Sequence, residues 1–256
     1  MPKFLKIYLP PVLLVIALFA IWQIYVDVSA ISSSVLPSPT KIARALVNAL
    51  PEIWDNTLVT LLETLIGFTV ALILGFLFAM LLDNSLLAKR AIYPLLVASQ
   101  TIPLVAIAPL LIVWFGFDLL PKIIIVWLVC FFPITVGGVD GFAGVDPDAA
   151  KIFRALGASK RQIFWKLRLP TALPSLFSGI RIAITYSVAG AILGEYAGAQ
   201  KGLGRLISLY ARSFNRELVF AVVFVTAVFS LLLFGLVSLV QWRIMPWYYQ
   251  MRQFKK

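Results

Sequence analysis

Apolar runs and short polar segments alternate along the chain, and the apolar runs are long enough to cross a bilayer six times. A run of about 20 apolar residues spans the hydrocarbon core as a helix. The runs are Ile7–Val26, Thr57–Leu82, Ile92–Phe115, Lys122–Val139, Ser175–Ala197 and Leu218–Val240. The first follows Lys3 and Lys6. Val28-Ser29-Ala30 after it resembles a signal cleavage site, but a secretory apolar region is only about 7–15 residues, so residues 1–30 are read as an uncleaved first helix. Residues 31–56 form a polar loop. In it Leu36-Pro37-Ser38-Pro39 forces an extended entry, and Thr40 is expected to cap a short helix with Ile42, Ala45, Leu46 and Ala49 on one face. Residues 57–241 make a five-helix core, and 242–256 a polar tail. Pro103 and Pro109 interrupt the third run.

The segment 146–174 breaks the apolar pattern. Ile152, Ala155 and Leu156, then Ile163, Phe164 and Leu167, recur at helical spacing among Lys151, Arg154, Lys160, Arg161, Lys166 and Arg168. This predicts two short amphipathic helices, with Gly157 as the stop of the first and Pro170 and Pro174 ending the second. Such a hairpin suits a docking element for a soluble partner; an interfacial helix pair lying on anionic lipid fits the same pattern. Small residues at four-residue spacing mark two seams, one through Gly67, Ala71, Gly75 and Ala79, the other through Gly190, Gly194 and Gly198. They are read as helix packing surfaces, the homodimer contact among them.

Composition narrows the function. Of the 256 residues 61% are hydrophobic and 13% charged, about half the charge of a soluble domain, so the chain is an integral membrane protein. The net charge of +11 would suit nucleic acid, but no separate basic domain exists to bind it. With six spans, Lys3, Lys6, Lys89, Arg90, the six hairpin cations and Arg243, Arg252, Lys255 and Lys256 fall on one side. Lys41, Arg44, Lys122, Lys201, Arg205, Arg212 and Arg216 fall on the other. That two-to-one bias places both termini and the hairpin in the cytoplasm. There is no histidine, and the single Cys130 lies in an apolar run. Neither a metal site nor a nucleophile is apparent, and no G-x-x-x-x-G-K-[ST] phosphate loop occurs; Gly202-Leu203-Gly204 is a turn. A membrane-bound enzyme is therefore disfavoured, and any ATP would be bound by another polypeptide.

Polar residues within spans are candidates for a solute path, because burying them in lipid is costly. Glu63, Gln100, Thr101, Tyr186 and Glu195 are the candidates. For the two glutamates, interfacial solvation or pairing with outer-loop arginines is the alternative; for the others, helix–helix hydrogen bonding. Arg181 lies near the inner end of its span and reads as a structural or snorkelling residue.

Gly157, nine residues, then Leu167-Arg168-Leu169-Pro170 resembles the cytoplasmic signature of binding-protein-dependent ABC transporter permeases: Glu-Ala-Ala, three residues, Gly, nine residues, Ile-x-Leu-Pro. The Glu-Ala-Ala positions fall on Lys151, Ile152 and Phe153 and do not match; Asp148-Ala149-Ala150 lies one turn earlier. Leu36-Pro37-Ser38-Pro39, Thr57, Gly67, Ile102-Pro103, Pro109, Trp114-Phe115-Gly116, Gly157-Ala158-Ser159, Leu169-Pro170, Gly179, Arg181, Glu195, Gly202-Leu203-Gly204 and Trp247 resemble the nitrate/sulfonate/taurine branch. Within that branch, Leu62-Glu63-Thr64, Ser99-Gln100-Thr101-Ile102-Pro103 and Gly194-Glu195 are similar to permeases for thiamine-precursor pyrimidines or riboflavin. The resemblance implies an all-α permease of the type I importer kind, with six transmembrane helices and a cytoplasmic coupling-helix hairpin. It further implies a second copy of the chain, two ATP-binding subunits carrying ATP and Mg, and an extracytoplasmic solute-binding protein, in a bacterial inner membrane. The chain itself would bind no cofactor. Asp148, Ala149, Ala150, Arg154, Leu156, Gly157, Ala158, Ser159, Leu169 and Pro170 would form the coupling segment. An ion-coupled secondary transporter is the competing class, but the chain halves show no internal repeat of the kind such folds carry.

Overall fold

The computed structural model describes residues 3–29, 31–33 and 35–248, with side chains from residue 9 onward. Arg252, Lys255 and Lys256 lie outside the described residues, as do the side chains of Lys3 and Lys6. Every regular element described is helical: α1 (Lys3–Val28), α2 (Pro39–Asn48), α3 (Leu50–Asn84), α4 (Leu86–Ser99), α5 (Leu104–Phe115), α6 (Leu119–Ala143), α7 (Pro147–Ala155), α8 (Lys160–Ile163), α9 (Leu169–Gly198), α10 (Leu203–Arg212) and α11 (Arg216–Ile244). A π-turn, Phe164–Arg168, joins α8 to α9. Among the described residues, five helices are long and apolar enough to cross a membrane alone. The pair α4 and α5, bent by 95°, makes a sixth crossing if taken as one broken span.

The core is α6 wedged between α3 and α9. Glycines bring the backbones together: a Cβ on Gly67 would lie 2.6 Å from Val126 Cβ, and one on Gly75 2.9 Å from Ile134 Cγ2. Gly190 faces Val126 and Val129, Gly194 faces Lys122 and Ile125, and Gly179 sits against the Pro133 carbonyl. Both small-residue stripes thus form packing seams inside the chain, α3 on α6 through Gly67 and Gly75 and α6 on α9 through Gly190 and Gly194, while Gly198 sits against Phe117 and Ile112. Cys130, fully buried, donates its Sγ–H to the Ala183 carbonyl at 3.3 Å across the α6–α9 seam. Outside this core, α1 touches α11 through Phe19 and Trp22 against Phe220 and Phe224.

Two local expectations need correction. Ser38, not Thr40, is the N-cap of α2; Pro39 opens the helix with its ring-fixed φ, and no side-chain cap bond forms. Pro109 lies inside α5, and the break in the third span is confined to Gln100–Pro103. There the Gln100 and Thr101 N–H groups donate to Val97 and Ala98 carbonyls, so the broken turn leaves these donors satisfied.

Candidate functional site: a solute cavity, a hairpin and a polar junction

The hairpin is specified by local chemistry. Asp146 caps α7 by accepting from the Asp148 N–H, and Pro147 opens the helix. Gly157, at φ +78°, ends it in a left-handed turn: the Ala158 N–H donates to Phe153 O and the Gly157 N–H to Arg154 O. This double closure satisfies the last carbonyls. Ser159 then starts α8 in a reciprocal capping box, its N–H donating to Gln162 Oε1 at 2.7 Å and its Oγ accepting from the Gln162 N–H. Asp148 pairs with Lys151 at 2.8 Å on the exposed face, and Ala149 and Arg154 flank the buried Ala150. Leu156 stands 81% exposed at the tip.

The second helix of the hairpin does not end at Pro170 or Pro174. Leu169 donates to Phe164 O across the widened π-turn, and the chain continues as one helical rod to Gly198. Pro170 falls in the first turn of the resumed helix, where a missing N–H costs little. Arg168 forms a salt bridge with Asp83 at the end of α3 and stacks over Phe142, 5.9 Å from its ring centre. Phe164 packs on the same ring at 6.1 Å. The hairpin is thereby tied to α3, α6 and α9 at once.

A cavity of about 600 Å³ opens between the α4–α5 break, α6 and α9. Gln100 comes from the break, Leu104 from the start of α5, Phe132, Pro133, Val136 and Asp140 from α6, and Ser175, Ser178, Ile182 and Tyr186 from α9. Gly137 and Gly179 also line it, and they hold its α6 and α9 walls together, since a Cβ on either would meet the backbone of the other helix. Irregular backbone at membrane depth persists where it lines a cavity, and the break at Gln100 does so here. Of the polar candidates, Gln100 and Tyr186 line this space. Thr101 is exposed at the break, its hydroxyl donating to Ala98 O, and is not among the lining residues. Arg181 lines a neighbouring groove of about 500 Å³ with Ser178, Thr185 and Phe234. Asp140 escaped the reading from sequence; an acid one residue before Gly141, close to the end of an apolar run, was the available signal.

Glu63 and Glu195 are elsewhere. Both are 1% exposed and neither lines the cavity. Glu63 pairs with Lys122 of α6, Nζ to Oε1 at 3.3 Å, rather than with an outer-loop arginine. Lys122, counted above among loop cations, is itself buried. Glu195 accepts from the Thr60 hydroxyl at 2.6 Å and from the Gly204 N–H at 2.6 Å. Thr60 Oγ1 also accepts from the Leu203 N–H, and Asn56 Oδ1 from the Gly202 N–H. Three side chains from α3 and α9 therefore satisfy the backbone donors that begin α10. Gly202, at φ +116°, has its Cα against the Glu195 carboxyl, which no other residue permits.

At the far end of α10 the Tyr210 hydroxyl donates to Glu52 Oε2 at 2.8 Å. Burial, then the Glu52 hydrogen bond and charge, push the Tyr210 phenol up to about 12 from its usual 10.0. The stabilisation linked to this raised value is complete below about pH 10 and is lost as pH rises through about 12. Ultraviolet difference titration against Tyr210→Phe should show one tyrosinate missing near pH 12; a full complement ionising by pH 10 would contradict the contact.

A cavity at membrane depth, a rod running from it to a polar hairpin, and a sealed polar junction at the opposite end describe a transport permease. Residues 67–246 match the family "Binding-protein-dependent transport system inner membrane component", and the chain belongs to it. It is 35% identical over 240 residues to the formylaminopyrimidine transport permease protein ThiX of Halalkalibacterium halodurans, covering 93% of this chain and 96% of the relative. It is 34% identical to the riboflavin transport system permease protein RibX of Chloroflexus aurantiacus, covering 93% and 89%. It is 30% identical to the putative aliphatic sulfonates transport permease protein SsuC of Bacillus subtilis, covering 92% and 86%. A chain of the inward-facing MetNI methionine ABC transporter shares the fold, with a TM-score of 0.63 at 21% identity over 78% of this chain and 97% of that one. The protein is thus a multi-pass membrane permease of an ABC importer and not itself an enzyme.

Proposed function

We propose that the chain passes a small neutral vitamin-type solute, a thiamine-precursor pyrimidine or a relative of it, into a bacterial cytoplasm through the cavity between the α4–α5 break, α6 and α9. Permeases for nitrate, sulfonate or taurine-like anions are the second reading, favoured by the SsuC similarity. The observation that carries the pathway is the exposed polar wall of α9. Ser178 and Tyr186, both lining the cavity, are exposed in the middle of a span, and such a wall faces protein or water rather than lipid. A second copy of the chain closes that wall. Both termini and the hairpin face the cytoplasm, as the basic-residue bias directs, and an extracytoplasmic binding protein delivers the solute to the α10 end.

Two ATP-binding subunits, holding ATP and Mg, seat the hairpin. Asp148, Ala149, Ala150, Arg154, Gly157, Ala158, Ser159, Leu169 and Pro170 shape that element, and Leu156 is its apolar tip. Leu156→Asp should abolish co-purification of the ATPase while insertion and folding persist, because this side chain supports nothing within the chain. Undiminished ATPase capture by that variant would remove the hairpin from the coupling role.

A further inference from the structure

The charge of the cavity bears on which solutes pass, and here the lining is one-sided. Asp140 is its single formally charged lining residue. It lies on α6, is exposed, and among the described residues no hydrogen bond or ion pair holds its carboxylate. The other acids near this end of the bundle are engaged: Asp83 is paired with Arg168, and Asp148 with Lys151. The remaining polar lining groups, Gln100, Ser175, Ser178 and Tyr186, are neutral. Arg181 belongs to the adjacent groove, which meets the cavity at Ser178, Ile182 and Tyr186.

We infer that Asp140 makes this pathway a selective passage for neutral or cationic, N–H-bearing solutes and a barrier to monoanions. This rests on the cavity being the solute path. A carboxylate with no cation partner on a mostly apolar cavity wall gives that cavity a negative local potential. An amine or ring N–H gains a charge-assisted bond to it; a sulfonate or nitrate meets repulsion there, the neighbouring cation Arg181 lining the adjacent groove rather than the cavity. Phe132 and Tyr186 add flat apolar faces suited to a planar ring. The aminopyrimidine class matches this lining, and the aliphatic sulfonate class does not. The binding protein still chooses the solute first; Asp140 applies a second filter at the membrane.

The test reads the potential directly, without knowing the solute. Ser178→Cys is introduced into the complete transporter in lipid nanodiscs, with the unsubstituted chain, whose Cys130 is buried, as control. Labelling rates are measured with methanethiosulfonates carrying trimethylammonium or sulfonate. The cation-to-anion rate ratio at Cys130-corrected Ser178→Cys should exceed that of a free thiol by about tenfold. Asp140→Asn, which keeps the shape of an exposed and unbonded side chain, should return the ratio to the free-thiol value, and Asp140→Glu should preserve it. A ratio unchanged by Asp140→Asn overturns the charge filter while leaving the pathway standing. Failure of both reagents to label Ser178→Cys in resting and ATP-turnover states overturns the pathway itself.

Discussion

Lys122→Met is expected to cost about 3–5 kcal/mol of stability, since it removes one partner of a buried ion pair and leaves the other charge uncompensated. Glu63 is 1% exposed, its Oε1 rests on Lys122 Nζ at 3.3 Å, and its Oε2 has no hydrogen-bond partner. Glu195 shares the same junction. Without Lys122 two carboxyl groups remain among α3, α6 and α9 with no cation. The Lys122→Met, Glu63→Gln double variant should recover most of the loss, because the orphaned charge goes with its partner. Thermal inactivation in detergent, run as a double-mutant cycle, measures the coupling. A single variant as stable as the parent would show that the pair contributes nothing. Uptake by the double variant should be retained, since Glu63 is outside the cavity; loss of uptake at normal stability would return Glu63 to the solute path.

Gly179→Leu should prevent recovery of folded, monodisperse protein. Its Cα sits so close to α6 that a Cβ would lie 3.0 Å from the Pro133 carbonyl carbon and 3.3 Å from Gly137 Cα. Both obstacles are backbone, so no rotamer change relieves them. Overpacking in a core costs about 1–3 kcal/mol when side chains can shift; here the helices themselves must separate. Gly235→Leu is the control, because nothing lies within 4 Å of a Cβ at that position. Equal yields of the two variants after detergent extraction and size-exclusion chromatography would refute the close α6–α9 seam. Gly179→Ala should fall between them, since its methyl meets the same α6 backbone with less bulk behind it.

What could be read from sequence was local or periodic. The apolar runs became helices because length and hydropathy alone demand it in a bilayer. Gly157 was legible because a left-handed stop is decided within a few residues; the capping box of Ser159 and Gln162, equally local, emerged only from the structure. Gly67, Gly75, Gly190 and Gly194 revealed that helices approach closely there, but not which helices: a stripe gives a face and no address. Lys122 and Glu63 stand 59 positions apart, and only the packing of α3 on α6 makes them partners. Lys122 looked like a loop cation because it begins an apolar run. Pro170 and Pro174 misled for a different reason. Proline stops a helix that must keep every α-type hydrogen bond, whereas the π-turn at Phe164–Arg168 resets the register before Pro170, and Pro174 is carried inside α9 by the packing of that helix.

That π-turn also sets the mechanics of the chain. From Lys160 to Gly198 the backbone is one rod of 39 residues, about 58 Å long, with a single irregular turn near its hairpin end. Irregular turns are where helices bend. Pivoting there, a tilt of about 10° would sweep Tyr186, roughly 27 Å further along, sideways by about 5 Å. The arm on the hairpin side is only a turn or two long, so the ratio of the two arms favours amplitude over force. With Gly179, Gly190 and Gly194 seated on α6, such a tilt would carry α6 along, so that a small stroke at the Lys160 end would move one whole wall of the cavity as a block.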